Sequence, residues 1–248
     1  MFEAMKSYGG FLLGLDWHLD RLERSSARIG IPLPPRNKIR EWALSVGREG
    51  GDGVVRIIIT RGSAIPDFDD PGRCVVMHHQ MPEIQEVLTL RPTVAPWHSA
   101  GVDWALAGAK TISYAPNMAA SRLAKEDGFD DALLLSKEQV ILEGPTFSVG
   151  WVVGDCFETP SLDLLILDSI TRRYVLELVD DAGLTLREGR FPLDRLDDAE
   201  EVVAMSTGHE IRVVSAVGDR NWALGPVAEN LKERFRERVE RARVEEPQ

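Results

Sequence analysis

Apolar and polar positions first alternate with a period of two. The stretch "FEAMKSYGGFLLGL", residues 2–15, reads as two short strands around a Gly-Gly turn. The period then lengthens. "DWHLDRLERSSARIGIPLP", residues 16–34, predicts an amphipathic helix with Asp16 as N-cap, Leu19, Leu22 and Ile29 on one side, and Gly30 as its stop. A second helix is expected over roughly 36–48. The β-branched run in "GGDGVVRIIITRG" predicts a buried strand, and "RCVVMHH" and "VLTLRP" predict two more.

After residue 100 the texture changes. A helix opened by Pro116 is expected over 116–127, followed by short strands at "DALLL", "QVILEG", "FSVGWVVGD" and "CFETP". "SITRRYVLELVDDAG" predicts a helix. Strands follow at "LTLREGRF", "EEVVAMS" and "IRVVSAVG", then a charged helix from about residue 225. The mixture of types gives an α/β (α+β) fold class. The change of texture places a domain boundary near 95–108, dividing the chain into 1–100 and 101–248.

Composition narrows the setting. The 248 residues hold 44% hydrophobic and 28% charged side chains, enough for a sizeable core. A formal charge of −11 argues against nucleic acid or an anionic membrane as partner. Two cysteines without metal spacing, no apolar run of membrane-spanning length and no signal-peptide pattern point to the cytoplasm.

Five places could carry chemistry. Lys110 stands in a Gly/Ala-bounded segment ahead of Tyr114; an amine of lowered pKa forms Schiff bases with carbonyl compounds. Glu143 ends an apolar segment at the sharp Gly144-Pro145 turn, where a carboxylate could pair with a buried cation. Asp168 or Ser169 caps a helix whose first N–H groups, at Ile170 and Thr171, form an anion site suited to phosphate. Ser206, Thr207 and Gly208 offer hydroxyl and backbone donors beside His209, and Arg21 follows His18 by three residues and could clamp phosphate. Each taken singly also reads as a surface lysine, a turn carboxylate, a plain capped helix, a surface histidine or a solvated arginine.

Their order is specific. A lysine, a glutamate about 33 residues on, an "ITR" helix start about 27 beyond it and an "STGHEI" turn form one pattern. With "FEAMKSYGG", "HLDRL", "TRG" and "KTISYAPNMAA" it resembles, over nearly the whole chain, the fold-type IV pyridoxal-phosphate enzymes. These are branched-chain and D-amino acid aminotransferases and aminodeoxychorismate lyases.

The resemblance implies a two-domain fold, a small α/β domain over 1–100 and a larger mixed-sheet, barrel-like domain over 101–248 that binds the cofactor, pyridoxal 5′-phosphate. It implies that Lys110 carries the cofactor aldehyde as an imine and moves the substrate Cα proton. Tyr114 would meet the phenolic oxygen, Glu143 would hold the pyridine nitrogen protonated, and Leu167 would pack on the ring. Arg21, Ile170, Thr171 and Thr207 would bind the phosphate, and Phe2, Thr207 and Gly208 would touch substrate. It also implies a homodimer acting on an amino acid, branched-chain type favoured, and a 2-keto acid. Lyase activity on aminodeoxychorismate, or a catalytically degenerate relative, are the other readings.

Four departures stand out. The chain begins at Met1-Phe2-Glu3, where the family carries further strands, so N-terminal strands are expected to be missing. After Glu143-Gly144 the chain has "PTFSVGW" in place of a small-residue run ending in asparagine. "TRGSAIPDFDD" lacks the Arg-x-His pair of D-amino acid aminotransferases, and Ser169 replaces a usual glycine.

Overall fold

The computed structural model describes residues 1–61, 72–81, 85–246 and 248. Gly62 of the "TRG" motif, and most of the stretch lacking the Arg-x-His pair, lie outside them. The chain forms two compact units: Met1–Glu83 with Gly108–Ile112 and Arg238–Gln248, and Ile84–Ala107 with Ser113–Glu237.

In the first unit, β1 (Phe2–Tyr8), β2 (Phe11–Leu12), α1 (Leu15–Ile29), α2 (Arg36–Gly50), β3 (Gly53–Thr60) and β4 (Arg73–His79) follow in order. The strands form an antiparallel sheet in the order β2-β1-β3-β4. The Gly9-Gly10 turn between β1 and β2 has φ of 60° and 97°, which side chains rarely adopt. Val55, Ile57 and Ile59 of β3, with Met5 of β1, are buried in one cluster with Leu15, Leu19 and Leu22 of α1 and Ile39 and Ala43 of α2. The register pairs Ala4 with Arg56 and Phe2 with Ile58, so these residues share the opposite face.

Gly30 ends α1 at φ 68° as the sequence predicts. The expected cap is different. Gly14, at φ 66°, precedes the helix, which begins with the buried Leu15. Asp16 lies in the first turn and pairs with Arg40 at 2.6 Å and Arg36 at 3.2 Å.

The second unit contains β5 (Val87–Val94), α3 (Ala115–Glu126), β6 (Asp131–Leu135), β7 (Ser148–Val153), β8 (Cys156–Pro160) and α4 (Ile170–Asp181). It continues with β9 (Thr185–Gly189), β10 (Glu201–Ser206), β11 (Glu210–Val217), β12 (Arg220–Asn221) and the start of α5 (Pro226–Glu245). The sheet runs β6-β5-β11-β10-β7-β8-β9, with β12 on β11. The pairs β5–β6, β5–β11 and β8–β9 are parallel and the others antiparallel. Leu88, Leu90, Val149, Trp151, Val202 and Val214 belong to the core on one face.

The strand expected at "QVILEG" is a correction. Only isolated bridges form there, Leu135 with Ile141 and Val140 with Pro192. Gln139, at φ 62°, turns the chain back so that Leu142 and Glu143 bond the backbone of Leu134. That returning arm carries Glu143 to its place.

Candidate active site

The segment bearing Lys110 is tied by its backbone. The Phe2 N–H donates to the Lys110 carbonyl at 3.2 Å, and the Lys110 N–H donates to Ser25 Oγ at 3.1 Å. The half-buried Lys110 side chain places Nζ 4.4 Å from the Phe2 ring centroid. Arg56 lies 5.4 Å from the same centroid, so two cations share one aromatic ring. Phe2, expected to touch substrate, thus meets Lys110 directly.

Also in the first unit, Glu3, His18 and Arg21 form a buried cluster. Arg21 donates from Nε to Glu3 Oε1 at 2.8 Å and from Nη2 to Oε2 at 2.6 Å, while His18 Nδ1 lies 2.8 Å from Oε2. Burial alone would raise the Glu3 pKa. The charge and hydrogen bonds of Arg21, with those of His18, outweigh it and hold the carboxyl well below the usual range. Burial lowers the His18 pKa; Glu3 opposes that, and the charges of Arg21 and Lys110 add to it. The arginine expected at phosphate is therefore oriented by Glu3 and kept from bulk water.

In the second unit, Glu143 sits between two N–H donors. Leu167 N–H donates to Oε2 at 3.1 Å, and His98 Nε2 lies 3.3 Å from Oε1. Leu167, expected for its side chain, contributes its backbone as well. The carboxylate is only partly exposed, and among the described residues no lysine or arginine pairs with it. Ser169 caps α4, its Oγ accepting from the Arg172 N–H at 3.3 Å. Asp168 pairs with Arg173 instead. Ile170 and Thr171 are the buried first residues of that helix, where N–H groups precede the intrahelical ladder. Tyr114 is the half-buried N-cap of α3, and half-buried Thr207 and Gly208 form the β10–β11 turn with His209 Nδ1 3.5 Å from Ser206 Oγ.

Sequence reasoning missed Glu3, Arg56 and His98. The charge of Glu3 inside a strand of buried alternation was a readable signal; Arg56 and His98 acquire meaning only through tertiary neighbours. Within the second unit, Glu143, which no lysine or arginine pairs among the described residues, is of the kind a basic ring nitrogen requires, and the capped start of α4 of the kind a phosphate requires; within the first unit, Lys110 is an amine of the kind an aldehyde requires. No group of side chains suited to a metal ion occurs among the described residues, and no helix there is long and apolar enough to cross a membrane.

Residues 1–217 match the amino-transferase class IV family. The aminodeoxychorismate lyase of Bacillus subtilis is 28% identical over 90% of this chain and 78% of its own length. At 26% identity stand a probable branched-chain-amino-acid aminotransferase of Rickettsia bellii, covering 95% of this chain and 85% of the relative, and a D-alanine aminotransferase of Listeria monocytogenes, covering 98% and 87%. A fold IV-transaminase from Curtobacterium pusillum superimposes with a TM-score of 0.86 at 26% identity, over 94% of this chain and 84% of that one. With its fold and its match to the family over most of its length, the chain belongs to the class IV aminotransferases, enzymes that work with pyridoxal 5′-phosphate.

Proposed function

We propose that the enzyme transfers an amino group from a branched-chain amino acid to a 2-keto acid. The observation that carries the transfer chemistry is Glu143: a carboxylate fixed by two N–H donors, with no cationic side chain beside it among the described residues. Such a group suits a protonated ring nitrogen. When bound, the cofactor supplies the sink for electrons released at the substrate Cα.

The chain's own residues do the rest. Lys110 Nζ would hold the cofactor and then take and return the Cα proton. Arg21, Thr207 and the start of α4 at Ile170 and Thr171 would bind the phosphate, and Tyr114 the phenolic oxygen. Phe2, Thr207 and Gly208 would line the substrate. Arg56, on the same ring as Lys110, is a cation suited to the substrate carboxylate. The preference for branched aliphatic side chains is supported by the Rickettsia relative and by the missing Arg-x-His pair. The setting we propose is the cytoplasm, in keeping with two free cysteines.

Borohydride reduction of the loaded enzyme, followed by peptide mass analysis, should place a phosphopyridoxyl group on Lys110. Lys110→Ala should show neither that label nor turnover; a label on another lysine would refute the assignment. With L-leucine and no acceptor, wild type should release about one keto-acid equivalent per cofactor.

The Bacillus relative favours a second reading, lyase action on aminodeoxychorismate. That activity would release pyruvate from that compound and no keto acid from L-leucine.

A further inference from the structure

Loop 95–102 presents His98 to Glu143 in one protonation form. The Ala100 N–H donates to His98 Nδ1 at 3.1 Å, so Nδ1 is an acceptor and the ring proton resides on Nε2, facing Glu143 Oε1 at 3.3 Å. His98 is thereby a neutral donor, and the negative charge of Glu143 is not cancelled. The loop is strained to make this contact. Ala100 has φ 48°, a left-handed conformation that non-glycine residues rarely adopt.

That strained loop is tied down on several sides. The His98 N–H bonds the Ala95 carbonyl at 3.0 Å, and Arg190 donates to the Ala100 carbonyl at 3.2 Å. Asn117 of α3 links the loop to the turn after Glu143. It accepts from Trp97 Nε1 at 3.0 Å and donates to the Pro145 carbonyl at 2.9 Å. Both members of the His98–Glu143 pair are therefore held from the same side chain, each through its own loop.

We infer that His98 is a positioning residue of the aminotransferase: with the Leu167 N–H it aims the Glu143 carboxylate, and Ala100 fixes it as the neutral Nε2–H donor. The inference rests on the proposed role of Glu143 at the cofactor ring nitrogen. It distinguishes the two ends of the imidazole. Asn at 98 keeps an acceptor for Ala100 but does not reach Glu143; Gln at 98 restores an N–H at about the Nε2 position.

The test compares His98→Asn, His98→Gln and Glu143→Ala in the holoenzyme. His98→Asn should lower kcat about tenfold at unchanged KM, the effect of one lost hydrogen bond, and should shift the visible absorption of the bound cofactor. His98→Gln should restore both, and melting temperatures should stay alike. In the cofactor-free protein, nitrogen-15 NMR should show His98 neutral and protonated on Nε2.

A ring protonated on Nδ1, or a His98→Asn enzyme with wild-type kcat and spectrum beside an impaired Glu143→Ala, would overturn the inference alone. If Glu143→Ala is also unchanged in rate and spectrum, the role of Glu143 falls with it. Should His98→Asn fail to fold, the NMR result and the His98→Gln spectrum still decide.

Discussion

Glu3 keeps its charge in a strand that exposes none of it to water, because Arg21 and His18 surround the carboxylate. Replacing Arg21 would leave the buried carboxylate without its cationic partner, the costliest kind of polar defect. The same cluster makes stability pH-dependent. His18 has a folded pKa lowered from its ordinary 6.5, so below that pH the unfolded chain binds a proton that the folded chain does not. Its contribution is complete above about 6.5 and is lost as pH falls toward the lower folded value. Glu3 acts in the same direction in a second window, opening near its ordinary 4.5 and extending downward. The urea midpoint of wild type should therefore fall between pH 7.5 and 5.5. That of His18→Asn, which keeps a donor near Nδ1 and does not titrate, should change little over that range; parallel declines would refute the account. At this scale Lys110 and Glu143 are singled out in the sequence by their order with the other motifs and not by their own surroundings, since each alone also reads as a surface lysine or a turn carboxylate. Arg56 is not: in sequence it is one polar position in an apolar strand, and only the register with β1 sets it beside Phe2.

Helix α4 illustrates what patterns settle at the scale of elements. Its apolar spacing and a cap at Asp168 or Ser169 were legible, because capping is a local contest between a side chain and the first backbone N–H groups; the pairing of Asp168 with Arg173 leaves Ser169 as the cap. Ser169→Ala should destabilise the protein by about 1 kcal/mol, and Ser169→Gly by only a few tenths, in denaturant titrations. Equal losses would mean that the hydroxyl does not act as a cap. The start of α1 was misjudged for a physical reason. Asp16 satisfies the cap preference, yet burial of Leu15 extends the helix one residue further and a left-handed Gly14 takes the cap position. The arm 139–143 was misjudged differently. Its β-branched, apolar composition is that of a strand, but the backbone bonds available to it come in isolated bridges and from the end of β6.

At the scale of the whole molecule, the second unit shows large apolar side chains to solvent along one stretch of chain. Val102 is 71%, Met118 58% and Trp104 51% exposed. We propose the homodimer that the family resemblance implies, for which these exposed apolar side chains are candidate contacts. Light scattering at micromolar concentration should give a mass near twice 27.6 kDa, and Met118→Glu should lower it; a wild-type monomer would refute the dimer. Order along the chain has a consequence in time. The second sheet joins β5 to β11 in parallel, pairing Val87 with Val213. During synthesis at about 5–20 residues per second, β5 emerges from the ribosome roughly 6 to 25 seconds before the strand that completes its far side. Throughout that interval β5 presents one edge of open backbone N–H and C=O groups. Slow translation between residues 95 and 210 therefore lengthens the exposure of that edge, and silent codon changes that alter pace there should alter soluble yield without changing the enzyme.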